Sequence, residues 1–166
     1  QTAGLHSDES GDLPSQTTKA KSQIELAADI AGQAKPFDFD PGSAWLYSNA
    51  NYIVLGAVIE QVAGVPLAQA MKALVFDPLG LTSMAMDTPD EVVAGRASGY
   101  AQTDNAARPF ANAAYVDPSQ AGGAGAMRGT VIDLVRWHAA LLSGKLFDQA
   151  HVTLMTAPGK LRDGRL

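Results

Sequence analysis

Tyr47-Ser48-Asn49 sets a phenol two residues before a carboxamide, residue types that could take part in chemistry together. A phenol can relay a proton from a weak nucleophile, and a carboxamide two residues later can orient its neighbours. In isolation the triplet favours a plainer reading. The ring would pack while its hydroxyl meets water, and Asn49 would cap the helix that follows.

Other candidate patterns fail on spacing. There is no G-x-S-x-G nucleophile elbow and no G-x-x-x-x-G-K-[ST] phosphate loop. Gly123-Ala124-Gly125-Ala126-Met127-Arg128 lacks both the third glycine and the preceding strand of a dinucleotide fingerprint. His6, His138 and His151 stand at no metal-ligand spacing with one another or with a carboxylate, and read as ordinary surface or helix histidines. Asp38, Asp40 and Asp117 lie near prolines and read as turn residues, while Trp45 and Trp137 read as packing residues. No metal or cofactor is implied.

Composition narrows the classes further. The chain has 166 residues, 46% apolar and 17% charged, enough apolar material for a packed core. Twelve basic against seventeen acidic residues give a net charge of −5, which argues against nucleic acid or an anionic membrane as partner. Without cysteine there is no disulfide, thiolate metal site or cysteine nucleophile. The longest apolar run, Ile53 to Ile59, is interrupted by Gly56 and falls far short of the roughly 20 residues of a membrane span. Gln1 to Asp12 has no basic or apolar signal region, and the start at Gln1 suggests that an upstream segment was removed.

The elements that must position the triplet are mostly helical. Ser22 and Glu25 form a capping box for a helix ending at Gly32, and Asn49 opens a second helix that Gly64 stops. Pro66 opens a third, with Leu67, Met71, Leu74 and Val75 on one face, ended by Asp77-Pro78-Leu79-Gly80. Thr82 to Ala121 is irregular, with a strand near Ala97 to Gln102 and Tyr115 as a cleft candidate on composition alone. Thr130 and Asp133 open a helix with Leu134, Trp137, Leu141 and Leu142 on its face, and Asp148 caps a last one through about Met155. The expectation is five helices and very little sheet.

Ordered around the triplet are further motifs. Pro41-Gly42 precedes Tyr47-Ser48-Asn49, then come Tyr52, Leu55-Gly56, Ile59-Glu60, Gly64-Val65-Pro66 and Pro78-Leu79-Gly80-Leu81. Thr2-Ala3-Gly4-Leu5, Ser98-Gly99-Tyr100, Ala121-Gly122-Gly123-Ala124 through Thr130 and Asp133-Leu134, Leu141-Leu142-Ser143-Gly144, and Met155-Thr156 through Asp163-Gly164 complete the series. Together they resemble the serine beta-lactamase / penicillin-binding-protein family, in its class C beta-lactamase, DD-peptidase and esterase branch. Gln1 stands where that family usually has His.

The resemblance covers nearly the whole chain, but only the middle of a family member. It implies a mainly α chain: the helical region of the α+β beta-lactamase/transpeptidase-like fold, with most of the antiparallel sheet missing. Residues 1–166 are then expected to form a single partial domain. By position, Tyr47 is the acid/base residue, Asn49 orients the catalytic lysine and hydrogen-bonds substrate, and Pro41 and Gly42 fix the loop that enters the site. The substrate implied is a small-molecule ester, amide or β-lactam, and a periplasmic or secreted location is favoured.

Two parts of the family pattern do not occur in the 166 residues. Thr18-x-x-Lys21 is the nearest approach to Ser-x-x-Lys, and there is no Lys-Thr-Gly or His-x-Gly. Without that serine no acyl-enzyme forms, and without an oxyanion hole another 10²–10³-fold is typically lost. The expectation is a part of a serine hydrolase, inactive by itself and prone to self-associate through an uncovered apolar face. Two alternatives stay open: a non-catalytic helical binding module derived from the same fold, and a catalytically dead homologue that scaffolds a partner.

Overall fold

In a computed structural model, residues 1–7 and 18–165 are described. Helix α1, Gln23–Ala31, begins at the expected capping box. The Ser22 backbone N–H donates to Glu25 Oε2 at 2.8 Å, and the Glu25 N–H donates to Ser22 Oγ at 3.2 Å. Its apolar residues Leu26 and Ile30 are buried against α2, Ala50–Ala63, which ends at Gly64 in the left-handed conformation.

The third helical stretch ends at Gly80, within the Asp77-Pro78-Leu79-Gly80 stop that the sequence suggests. α3, Leu67–Met71, starts after Pro66, which occupies the cap rather than the first helical position. It continues through a π-turn, Lys72–Phe76, into α4, Asp77–Leu79. Pro78 does not end the helix, because the widened turn re-routes its neighbours' bonds: Asp77 N–H reaches Lys72 O and Leu81 N–H reaches Phe76 O. Phe76 and Leu81 fill the space beneath and are each 2% exposed.

The irregular stretch holds more strand than expected. β1, Ala85–Met86, pairs antiparallel with β4, Met127–Arg128. β2, Tyr100–Gln102, lies where a strand was expected, and pairs with an unforeseen partner, β3, Phe110–Asn112. A 3₁₀ stretch, Pro118–Ala124, is capped by Asp117 and packs across α2. Gly123 is required there: a Cβ would sit 2.4 Å from the Tyr52 carbonyl oxygen. α5, Val131–Leu142, and α6, Gln149–Thr156, begin at Thr130 and Asp148 as expected.

Helices and small two-stranded sheets thus surround a core of Leu26, Ile30, Ala57, Leu67, Phe76 and Leu81. Much apolar surface stays outside it. On α2, Leu55, Val58 and Val62 are exposed, and on α5 so are Val131, Ile132, Leu134, Val135 and Leu142. Among the described residues no single helix is long and apolar enough to cross a membrane.

Candidate active site

The site is assembled from three separate segments. Residues 1–6 lie antiparallel to residues 36–46, with Leu5 bridged to Phe37. Asp38 N–H donates to Gly4 O, His6 N–H to Pro36 O, and Gly42 N–H to Thr2 O, at 2.8, 2.9 and 2.7 Å. The C-terminal segment closes on the same loop, where Arg162 N–H donates to Gly42 O at 2.9 Å. Gly42 has a φ of +82°, and a Cβ there would lie 2.9 Å from Arg162 Cγ. Only glycine satisfies both constraints without strain.

The loop delivers Tyr47, Ser48 and Asn49 to the start of α2. The Tyr47 hydroxyl donates to Asn49 Oδ1 at 2.9 Å, and its ring is half exposed. Backbone donors are held from the first segment: Gln1 Oε1 accepts the Ser48 N–H, and Ser7 Oγ accepts the Asn49 N–H at 3.2 Å. Ser48 is 2% exposed, and its own hydroxyl has no partner among the described residues.

Asn49 precedes α2 without capping it through its side chain. Its φ of −66° and ψ of −29° are already helical, whereas a capping asparagine has extended backbone, and Oδ1 is bound to the Tyr47 hydroxyl. Trp45 also departs from expectation. It is 63% exposed and faces a cleft with Thr2, Pro158 and Leu161 instead of packing inside.

His6 is not an ordinary surface histidine. Its Nδ1 lies 2.9 and 3.1 Å from the two Asp38 carboxylate oxygens, so Nδ1 carries the hydrogen and donates. The pair spans 32 positions of sequence, which no local pattern reveals. His6, Ser7 and Asn49 share the wall of an open cleft of about 390 Å³ with Val116 and Ala121.

A second polar cluster lies on β4 and the loop after β1. Asp87 takes both terminal nitrogens of Arg96, at 2.6 and 2.8 Å, while Arg128 bridges Asp87 and Glu91. The Arg96 bonds hold the Asp87 carboxyl below its ordinary range, against the opposing effect of burial. Partial burial, then the negative charge of Asp117, Asp90 and Asp87, pushes the Tyr115 phenol up. Every charge in this cluster already has its counter-charge, so it holds the loop to the strand. Among the described residues no group of three His, Cys, Asp or Glu side chains is placed to hold a metal ion.

The family model named Beta-lactamase matches residues 1–163. A mitochondrial serine beta-lactamase-like protein of Bos taurus is 32% identical over 130 residues, which make up 76% of this chain and 22% of that protein. A D-stereospecific amidohydrolase from a Streptomyces species superposes with a TM-score of 0.79 at 27% identity, over 96% of this chain and 49% of the other. A penicillin-binding protein from Bacillus halodurans gives 0.76 at 25% identity, over 95% and 48%. The chain spans about half the length of these solved relatives and under a quarter of the mitochondrial one. With a match that runs through the Tyr47–Asn49 pair and every segment that holds it, the chain belongs to the Beta-lactamase family and has the beta-lactamase/transpeptidase-like fold.

Proposed function

We propose that residues 1–166 are the middle, mostly helical part of a single serine acyl-hydrolase domain, with Tyr47 and Asn49 as one of its catalytic motifs. The observation that carries this reading is the 2.9 Å bond from the Tyr47 hydroxyl to Asn49 Oδ1, with the phenol half exposed and Asn49 on the wall of an open cleft. A tyrosine kept for packing alone has no need of a hydroxyl oriented onto a residue of the cleft wall.

Acyl transfer starts when a serine hydroxyl attacks the substrate carbonyl and sheds its proton. The Tyr47 phenol oxygen relays that proton and returns it to the leaving group. Asn49 holds the phenol in place, orients the catalytic lysine and hydrogen-bonds the substrate's amide or carbonyl. Gln1 and Ser7 hold the intervening backbone, so the phenol and carboxamide keep their relative position through the proton transfers.

Neither Ser-x-x-Lys nor Lys-Thr-Gly nor His-x-Gly occurs in these 166 residues, so by themselves they form no acyl-enzyme. The nucleophile, its lysine and the substrate-lining strand belong to the rest of the domain, in keeping with a chain that spans about half of its solved relatives. Most of the antiparallel sheet belongs there too. Its strands cover the exposed apolar faces of α2 and α5, and without them those faces drive self-association. Substrates are small esters, amides or β-lactams.

The test uses the whole protein and a chromogenic ester beside a chromogenic cephalosporin. Tyr47→Phe lowers the rate of the acylation burst by about 10²–10⁴-fold, the usual contribution of a positioned acid/base group. An unchanged burst removes Tyr47 from the chemistry.

A further inference from the structure

We infer that Gln1 is a positioning residue for the proton relay, its side-chain amide setting the angle of the Tyr47 phenol through the peptide group that follows it. The inference rests on the proposed acyl-hydrolase reading for what the phenol does. Three observations on the described residues carry it.

The first is that Gln1 reaches both flanks of Tyr47. Its side-chain Oε1 accepts the Ser48 N–H, and its backbone carbonyl accepts the Leu46 N–H at 3.3 Å. Tyr47 therefore hangs between two peptide groups tied to one distant residue. The phenol oxygen stands at the far end of a rigid ring, so a small tilt of the peptide at Ser48 is magnified there.

The second is that packing does not fix the ring. Tyr47 is half exposed, and its hydroxyl donates to Asn49 Oδ1 at 2.9 Å. Asn49 is anchored separately, its N–H donating to Ser7 Oγ at 3.2 Å. Gln1 thus serves the phenol, and Ser7 serves the carboxamide.

The third is burial. Ser48 is 2% exposed, so water does not replace the Gln1 oxygen on its N–H. Without that oxygen the N–H is a buried donor lacking an acceptor, and the segment shifts to satisfy it. Gln1 itself is held in place, because Gly42 N–H donates to Thr2 O at 2.7 Å and Asp38 N–H to Gly4 O at 2.8 Å.

An amide oxygen accepts at any pH, so this clamp does not titrate. Nor do Thr2, Trp45, Pro158, Gly159 and Leu161, the described residues that share a cleft with Gln1. Arg162, the next residue along, keeps its charge throughout.

The experiment uses the whole protein, a chromogenic ester, and the acylation burst beside KM. Gln1→Met keeps the side chain's length and loses the acceptor. Its burst is expected to slow by about 10–10²-fold at unchanged KM, the usual penalty for a misplacement of about 1 Å. In Gln1→His a neutral imidazole can accept the Ser48 N–H and an imidazolium cannot. The burst rate of that variant, divided by the rate of the unaltered protein, is expected to recover above about pH 7.5 and to fall as the pH drops through roughly 6.5. The division cancels groups that titrate in both proteins.

An unchanged burst in Gln1→Met overturns the inference, and so does a ratio for Gln1→His that is equally low at every pH, which marks simple loosening. Hydrogen exchange at the Ser48 amide reads the clamp without activity: Gln1→Met is expected to speed it, and an unaltered exchange rate overturns the inference. Absence of any acyl-enzyme in the unaltered protein contradicts the catalytic reading itself. Faster exchange with a normal burst contradicts the role of Gln1 alone.

Discussion

Helices α1 and α5 start from nearly the same local instructions and end in different surroundings. Each opens with a hydroxyl residue and an acid three positions on, Ser22 with Glu25 and Thr130 with Asp133. Each carries an apolar stripe. In α1 that stripe is covered, with Leu26 and Ile30 at 6% and 8% exposure against α2 and the 3₁₀ stretch. In α5 Leu134, Val135 and Leu142 face outward, and the acid is used differently. Asp133 accepts from both the Ser83 N–H and the Ser83 hydroxyl, at 2.8 and 2.7 Å, which ties α5 to the turn before β1. Local sequence therefore sets where a helix begins, while its cover depends on what else the domain supplies.

Truncating one stripe residue on each helix gives the widest contrast. Leu26→Ala is expected to cost about 2–5 kcal/mol, because it leaves a cavity in a closed core. Val135→Ala is expected to cost under about 0.5 kcal/mol in these 166 residues alone, and more in the whole protein under the proposal that a sheet covers α5 there. Urea unfolding of both variants in both contexts measures this, and equal small costs for Val135→Ala in the two contexts argue against the proposed cover.

The proposed self-association of the isolated chain should respond to charge on the α5 stripe. Val131→Lys with Val135→Lys places charge on the exposed stripe and is expected to weaken association by about tenfold, near 1.4 kcal/mol. Sedimentation across a concentration series reads it. Association of the same strength in the double variant shifts attention to α2.

The two caps should be alike despite their different surroundings. Ser22→Ala and Thr130→Ala are each expected to cost about 1 kcal/mol by thermal or urea unfolding. Thr130 has the additional task of meeting Ser83, its hydroxyl lying 2.9 Å from the Ser83 hydroxyl, so a larger loss at that position would sharpen the difference between the helices.

The narrowest effect is confined to acid. Bonds from the Ser83 side chain and backbone, helped by Arg136, hold the Asp133 carboxyl below its ordinary range. A carboxyl depressed in the folded state contributes stability that is complete above its unfolded pKa, roughly 3.9, and is lost as the pH falls through the lower folded value. Asp133→Asn should flatten the decline of stability below about pH 4 while leaving its slope above pH 5 unchanged.

The same contrast governs what the sequence reveals. Helix starts at Ser22, Thr130 and Asp148 are legible because each cap acts over three residues. The strand at Tyr100–Gln102 is legible, but its partner Phe110–Asn112 is not, since alternation is weak in so short a segment. Asn49 reads as a cap because its residue type and position fit, yet its oxygen is claimed by a hydroxyl two residues earlier. Tyr47 and Asn49 stand out through ordered motifs on both sides of them. The contacts that hold them do not: Gln1 with Ser48, Ser7 with Asn49 and His6 with Asp38 join positions 47, 42 and 32 residues apart. Gln23 reaches Gly123 N–H across 100 residues at 3.0 Å, a link that only the folded chain displays.

The central claim is that these residues hold a proton relay for a nucleophile that lies outside them. Peptide mapping of the whole protein after brief exposure to an acylating ester or β-lactam tests it most directly, with Tyr47→Phe alongside. The account predicts a single acylated serine outside residues 1–166, labelled about 10²–10⁴-fold more slowly in the variant. A label on a serine within residues 1–166, or equal labelling rates in the two proteins, would contradict it.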